Sequence, residues 1–235
     1  MRAHSSRVNA LDGVIRRERV WLDLVTMRFA THPGLRRVFP EYLIGVYHAM
    51  HTAGAVMEAA RQRCIALASE CRVASQLVDY WARHIEDEAG HDKWLVEDLE
   101  SIGVERSALV APPLPEVAEL LGTLHFWILH THPLGALAYF YVLERDPPTL
   151  SYLDWLVTAA GVQRASLRTF YRHAVIDVEH GRELEELIEA LPLTAAHRQL
   201  LVLSATTVVH QLARVMERHV RRADALAMRH LAAKR

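Results

Sequence analysis

Cysteine is scarce in this chain, and the shortage excludes one whole class of fold. Cys64 and Cys71 are the only two in 235 residues, too few for a disulfide framework. An excess of either charge is missing as well. Against 27 Lys and Arg stand 28 Asp and Glu, a formal net charge of −1, which offers no basic surplus to a nucleic acid. Long uncharged apolar runs are absent: the longest, around residues 124–143, carries His125, His130, His132 and Pro133, so no segment reads as a membrane span. Met1-Arg2-Ala3-His4 has no apolar leader core behind it, and the expected setting is cytoplasmic. Glycines number only 10, and strand-type alternation never persists beyond a few residues.

What the chain does have is apolar residues at three- and four-residue intervals almost throughout, the helical period. With 51% hydrophobic and 23% charged residues it can fill a large core and still place polar groups inside. The spacing predicts helices over 12–31, 41–63, 72–102, 116–145, 151–160, 163–190 and 194–232. The first is stopped by His32-Pro33-Gly34, and the third is closed by Gly103 as a C-terminal cap. Ala111-Pro112-Pro113-Leu114-Pro115 is the clearest linker, and Pro115-Glu116 suits the first turn of the fourth helix. That helix is expected to kink or restart at Pro133 and to end at Asp146-Pro147-Pro148. The expectation is all-α: a single domain over residues 1–235, a bundle of about seven helices.

Fifteen histidines invite a search for metal ligands. His173, Asp177 and His180 fall at i, i+4 and i+7, within about 60° of one another on one helix face. Two imidazoles and a carboxylate converging there suit divalent iron or manganese; a wet histidine-rich face is the alternative. Upstream, His84-Ile-Glu-Asp-Glu88-Ala-Gly-His91 holds a Glu-x-x-His pair, Glu88 and His91, the device by which helix bundles present a carboxylate beside an imidazole. A solvated acidic face explains Glu86, Asp87 and Asp92 but explains His91 poorly. Glu144 ends ten uncharged residues and reads as a buried acid in need of a partner, or as one paired with Arg145 at the helix end. Together these positions supply mixed oxygen and nitrogen donors, which favour iron or manganese over thiolate-seeking metals. His-Glu-x-x-His is absent, and six ligands exceed what one zinc takes.

These motifs resemble the haem-oxygenase-like di-iron oxidases, relatives by fold of haem oxygenase and of the thiaminase-type helical proteins. The family's order of Glu, His, a lone Glu, then His-x3-Asp-x2-His is similar to Glu88, His91, Glu144, His173, Asp177 and His180, across about the central 100 residues. His84 would be an extra ligand or a partner to one. The resemblance implies a haem-oxygenase-like bundle, two Fe(II) ions, and O2 as co-substrate, reduced to a bridging peroxo species. It also implies a small carboxylic or amino acid substrate that is desaturated, cleaved at a carbon–carbon bond or N-oxygenated, often in natural-product biosynthesis. A homodimer is compatible with that fold.

Other readings remain open at this stage. A ferritin-like bundle would recruit Glu58. A haem protein of the same fold would need an early axial histidine such as His32, His48 or His51. A thiaminase-like hydrolase would want a nucleophilic cysteine on a central helix, and a scaffold would need none of these groups. Phe126, Trp127, Tyr139, Phe140 and Tyr141 would line an apolar pocket or simply fill the core. Arg168 and Arg172 lie near the ligand helix, where an acidic substrate would want a cation.

Overall fold

Backbone breaks, more than helix propensity, decide how this chain divides. The structure, a computed structural model, describes residues 6–232, and those residues contain nine α-helices and no strand. They are α1 (Ser6–Ala30), α2 (Leu35–Leu67), α3 (Arg72–Asp87), α4 (His91–Ser101), α5 (Pro115–His130), α6 (Leu134–Glu144), α7 (Leu150–Ala160), α8 (Arg168–Ala190) and α9 (Ala195–Ala232). Short 3-10 turns cover Arg106–Val110 and Arg164–Leu167.

Nine replaces the expected seven because two long helices are interrupted. The helix expected over 72–102 stops at Asp87 and restarts at His91, with Gly90 between them at φ 86°. Only glycine takes that left-handed conformation without strain. The helix expected over 116–145 stops at His130, and Thr131-His132-Pro133 separates it from α6. In the other direction, α2 begins at Leu35 rather than near residue 41 and runs through Pro40. Proline removes one backbone hydrogen bond there, and the burial of Leu35, Val38 and Phe39 holds that first turn in place.

Helix α6 runs through the middle of the molecule: every residue from Leu134 to Tyr141 is buried, as is Glu144. Helix α9 packs along α1 and α6, while α8 crosses the end of α6. That crossing is unusually close. A Cβ at Gly181 would lie 2.8 Å from the Glu144 carbonyl oxygen, so the glycine lets α8 approach α6 beside His180. On the other side, Asp98 of α4 is 1% exposed and accepts the Thr169 N–H at 2.8 Å. This ties the first turn of α8 to α4 and sets His173 opposite His91. No described helix is long and apolar enough to cross a membrane.

Candidate metal centre

The break at Gly90 is what turns both Glu88 and His91 inward, one closing α3 and the other opening α4. Around them the fold assembles two adjoining groups. Glu88, His91 and His173 form one, and His84, Glu144 and His180 the other; within each, the donor atoms lie within 4.8 Å of one another. In the first, Glu88 Oε2 is 3.0 Å from His91 Nδ1 and 3.8 Å from His173 Nε2. In the second, Glu144 Oε1 lies 3.2 Å from His84 Nε2, and Oε2 lies 4.0 Å from His180 Nδ1. Glu88 spans the two, since its Oε1 is also 3.5 Å from His180 Nδ1. Asp177 Oδ1 lies 3.9 Å from that same nitrogen.

All six sequence-marked positions and His84 thus converge between α3, α4, α6 and α8. His84, which the spacing ranked behind the other six, is a full member of the second group. Glu58 takes no part. It is bound by Arg61 at 2.8 Å and Gln62 at 2.7 Å on the outer side of α2. His32 pairs with Asp224, and His51 with Asp92. Arg168 is occupied by Glu97, and Phe126 is 53% exposed.

The arrangement fits metal ions. His84, His91, Glu144, Asp177 and His180 are all buried. Yet His84 Nε2, Glu144 Oε2, Asp177 Oδ1 and His180 Nδ1 find no hydrogen-bond partner among the described residues; His84 and Glu144 approach without the alignment of a bond. Each unsatisfied buried group costs about 1–3 kcal/mol, so four such donors facing one space are explained by a cation that takes them. His173 is prepared for the same task. Its Nδ1–H donates to the Thr169 carbonyl at 2.9 Å, which turns Nε2 toward Glu88 as the nitrogen that would bind a cation in exchange for its proton.

The electrostatics of the cluster point the same way. Burial pushes the Asp177 carboxyl up, and Glu144 and Glu88 push it further, to about 7. Burial alone would lower His173, but Glu88, Asp177 and the Thr169 carbonyl outweigh it and raise the ring to about 9. Glu88 is itself held well below the usual carboxylate range: burial opposes this, and the nearby His173 and the hydrogen-bonded His91 prevail. Three carboxylates crowded among four imidazoles store a repulsion that a divalent cation would relieve.

An aromatic collar surrounds these groups, and of its members the sequence had marked only Phe140. Tyr80 stacks on His84 at 5.3 Å, with Phe140 at 5.2 Å and Trp81 at 6.4 Å meeting the ring edge-on. Trp94 stacks on His91 at 4.0 Å. The available signal was Tyr80 and His84 at i and i+4, and His91 and Trp94 at i and i+3, each pair on one helix face.

A third group of possible donors, Cys71, His132 and His197, lies where α3, α6 and α9 begin. Its wiring is different. His132 Nδ1 accepts the Leu134 N–H at 3.1 Å, so in the neutral ring Nε2 carries the hydrogen and faces Cys71 Sγ at 3.4 Å. His197 Nδ1 likewise accepts the Thr194 N–H at 3.4 Å. These rings cap helix starts and have no bare nitrogen to offer.

A family model described as iron-containing redox enzyme matches residues 40–213. Among solved structures, a domain of unknown function with a heme oxygenase-like fold from Shewanella denitrificans superposes with a TM-score of 0.77 at 19% identity, covering 96% of each chain. A TenA homologue from Pseudomonas syringae pv. tomato gives a TM-score of 0.70 at 13% identity, covering 92% of this chain and 93% of that one. At these identities the likeness speaks for the fold, a haem-oxygenase-like all-α bundle. No match was found among curated proteins.

Proposed function

The chain belongs to the family of iron-containing redox enzymes, and on that footing we propose that it is a non-haem di-iron oxidase. In this reading it uses O2 to oxidise a small carboxylic or amino acid. The observation that carries the proposal is the set of four partnerless, buried donor atoms lying in and beside the triad of His84, Glu144 and His180, which Glu88 links to a second triad. Oxygen and nitrogen donors in this mixture suit iron, and the two triads suit two ions.

His84, Glu144 and His180 would hold one ion; Glu88, His91 and His173 would hold the other. Glu88 reaches both, and Asp177 stands beside His180. Two ferrous ions bound there would supply electrons and open positions for reducing O2. The remaining tasks belong to the protein. Thr169 fixes the tautomer and direction of His173. Asp98 holds the start of α8, and with it the distance between His91 and His173. Tyr80, Trp81 and Phe140, at 4%, 0% and 4% exposure, exclude water from the inner triad. The outer triad is the more open one, since the Glu88 and His173 side chains retain 18% and 19% exposure. Arg172, next in sequence to His173 and lying over Trp94, places a cation at that edge for a substrate carboxylate.

An anaerobic ferrous titration of metal-free protein tests this reading, with His173→Ala alongside. The expected result is about two irons per chain, reduced in the variant. If the wild type takes up no iron, or if uptake ignores the substitution, the assignment is wrong.

A further inference from the structure

A di-iron oxidase left in the ferric state must be returned to ferrous iron, and here the inner triad is walled in. His84, Glu144 and His180 are 3%, 7% and 7% exposed, so an outside reductant cannot touch the ion they would hold. Electrons for it must enter by way of the outer triad, where the Glu88 and His173 side chains keep 18% and 19% exposure. The electrons need a path through protein. Among the described rings in contact with the donor histidines, Tyr80, Trp81 and Phe140 are themselves buried. Trp94 differs. It is partly exposed, it stacks on the His91 imidazole at 4.0 Å between centroids with 29° between planes, and its edge meets His173 at 6.3 Å. One indole therefore touches solvent and both imidazoles of the outer triad.

Resting on the di-iron reading, we propose that Trp94 is the electron-entry residue of the centre. In each transfer an external one-electron donor is oxidised by one electron, which passes through the indole to a ferric ion held by Glu88, His91 and His173 and leaves it ferrous. No bond is made or broken, and two transfers restore both ions. The Arg172 guanidinium lies 4.3 Å from the Trp94 ring centroid. A cation over the ring is favourable to the electron-rich indole and unfavourable to its oxidised form, so electrons cross Trp94 without leaving it as a radical.

The test follows iron, not turnover. Protein loaded with ferrous iron is oxidised in air, made anaerobic and mixed with dithionite-reduced methyl viologen, and ferrous iron is counted against time. Four proteins are compared: wild type, Trp94→Leu, Trp94→Tyr, and Trp155→Leu as an exposed tryptophan on another helix. Iron content is expected to be equal in all four. Re-reduction should slow about tenfold or more in Trp94→Leu, recover substantially in Trp94→Tyr, and stay unchanged in Trp155→Leu. Equal iron content with an unaltered rate in Trp94→Leu would overturn the relay and leave the di-iron reading standing. Loss of iron in Trp94→Leu, or no recovery in Trp94→Tyr, would also overturn it, because Trp94 would then only be positioning His91. A wild type that holds no iron removes the di-iron reading and the relay together.

Discussion

His173 and His132 both bond to the main chain through Nδ1, but in opposite senses. His173 donates from Nδ1 to a carbonyl, Thr169 O at 2.9 Å, and so turns Nε2 inward toward the carboxylates. His132 accepts at Nδ1 from an amide, Leu134 N–H at 3.1 Å, and so turns an N–H toward Cys71. The surroundings reinforce the contrast. His173 faces Glu88 and Asp177, which raise its pKa, whereas burial, His197 and Arg63 lower His132 to about 4. Two groups of donors at similar spacing are thus wired differently, one in a way that suits a cation and the other in a way that closes helix ends. Spacing alone is a poor guide to a metal site; the hydrogen bond on the far nitrogen is the better one.

A histidine with neither kind of bond extends the comparison and has the largest expected effect. His219 is 0% exposed, neither ring nitrogen finds a hydrogen-bond partner among the described residues, and burial lowers its pKa from 6.5 to about 4. The folded state therefore binds fewer protons than the unfolded chain between those values, and stability is lost as pH falls from about 6.5 to about 4. The full loss is about 3 kcal/mol. Denaturant midpoints across that range should show a shallower acid decline in His219→Leu than in the wild type; parallel curves would mean the ring does not stay neutral.

Helix approach at the candidate metal centre comes next. Alanine at Gly181 would drive a Cβ to 2.8 Å from the Glu144 carbonyl oxygen and 3.2 Å from Arg145 Cα, both backbone atoms with little freedom to yield. Gly181→Ala is expected to cost about 2 kcal/mol and, by prising α8 from α6, to weaken iron binding. A ferrous titration of the variant checks the second part, and unchanged affinity would show that His180 and Glu144 need no such close approach.

The capping group gives the smallest effect and the sharpest contrast. His132→Ala should cost about 1 kcal/mol through the lost cap and leave iron stoichiometry unchanged. Iron uptake that fell with His132 as it falls with His173 would erase the distinction between the two groups.

Much of the candidate site could be read from the chain, for a local reason. His173, Asp177 and His180 share a face because 3.6 residues make a turn, and that holds whatever α8 packs against. The same reasoning drew Glu58 and Glu88 into one ferritin-like pattern, and there it failed. A helical period says which residues share a face but not which way the face turns in the bundle, and Glu58 turns outward to Arg61 and Gln62. His84 was undervalued for the converse reason. Its worth depends on Glu144 arriving from α6, 60 positions along the sequence, and no local pattern encodes that meeting. The aromatic pocket expected around the fourth helix was likewise divided by packing: Phe140 meets His84, while Phe126 lies on the surface.

The sequence by itself determined the all-α class, the stop at Gly103, the restart at Pro133, and which His, Asp and Glu residues share a helix face, because these follow from backbone sterics and helical periodicity within a few residues. Only the tertiary structure decided that Glu88 links two triads, that His84 completes one of them, and that among the described Tyr, Trp and Phe rings contacting the donor histidines Trp94 is the one not buried. Those outcomes depend on the Gly181 crossing and the Asp98–Thr169 bond, both made between helices distant in sequence.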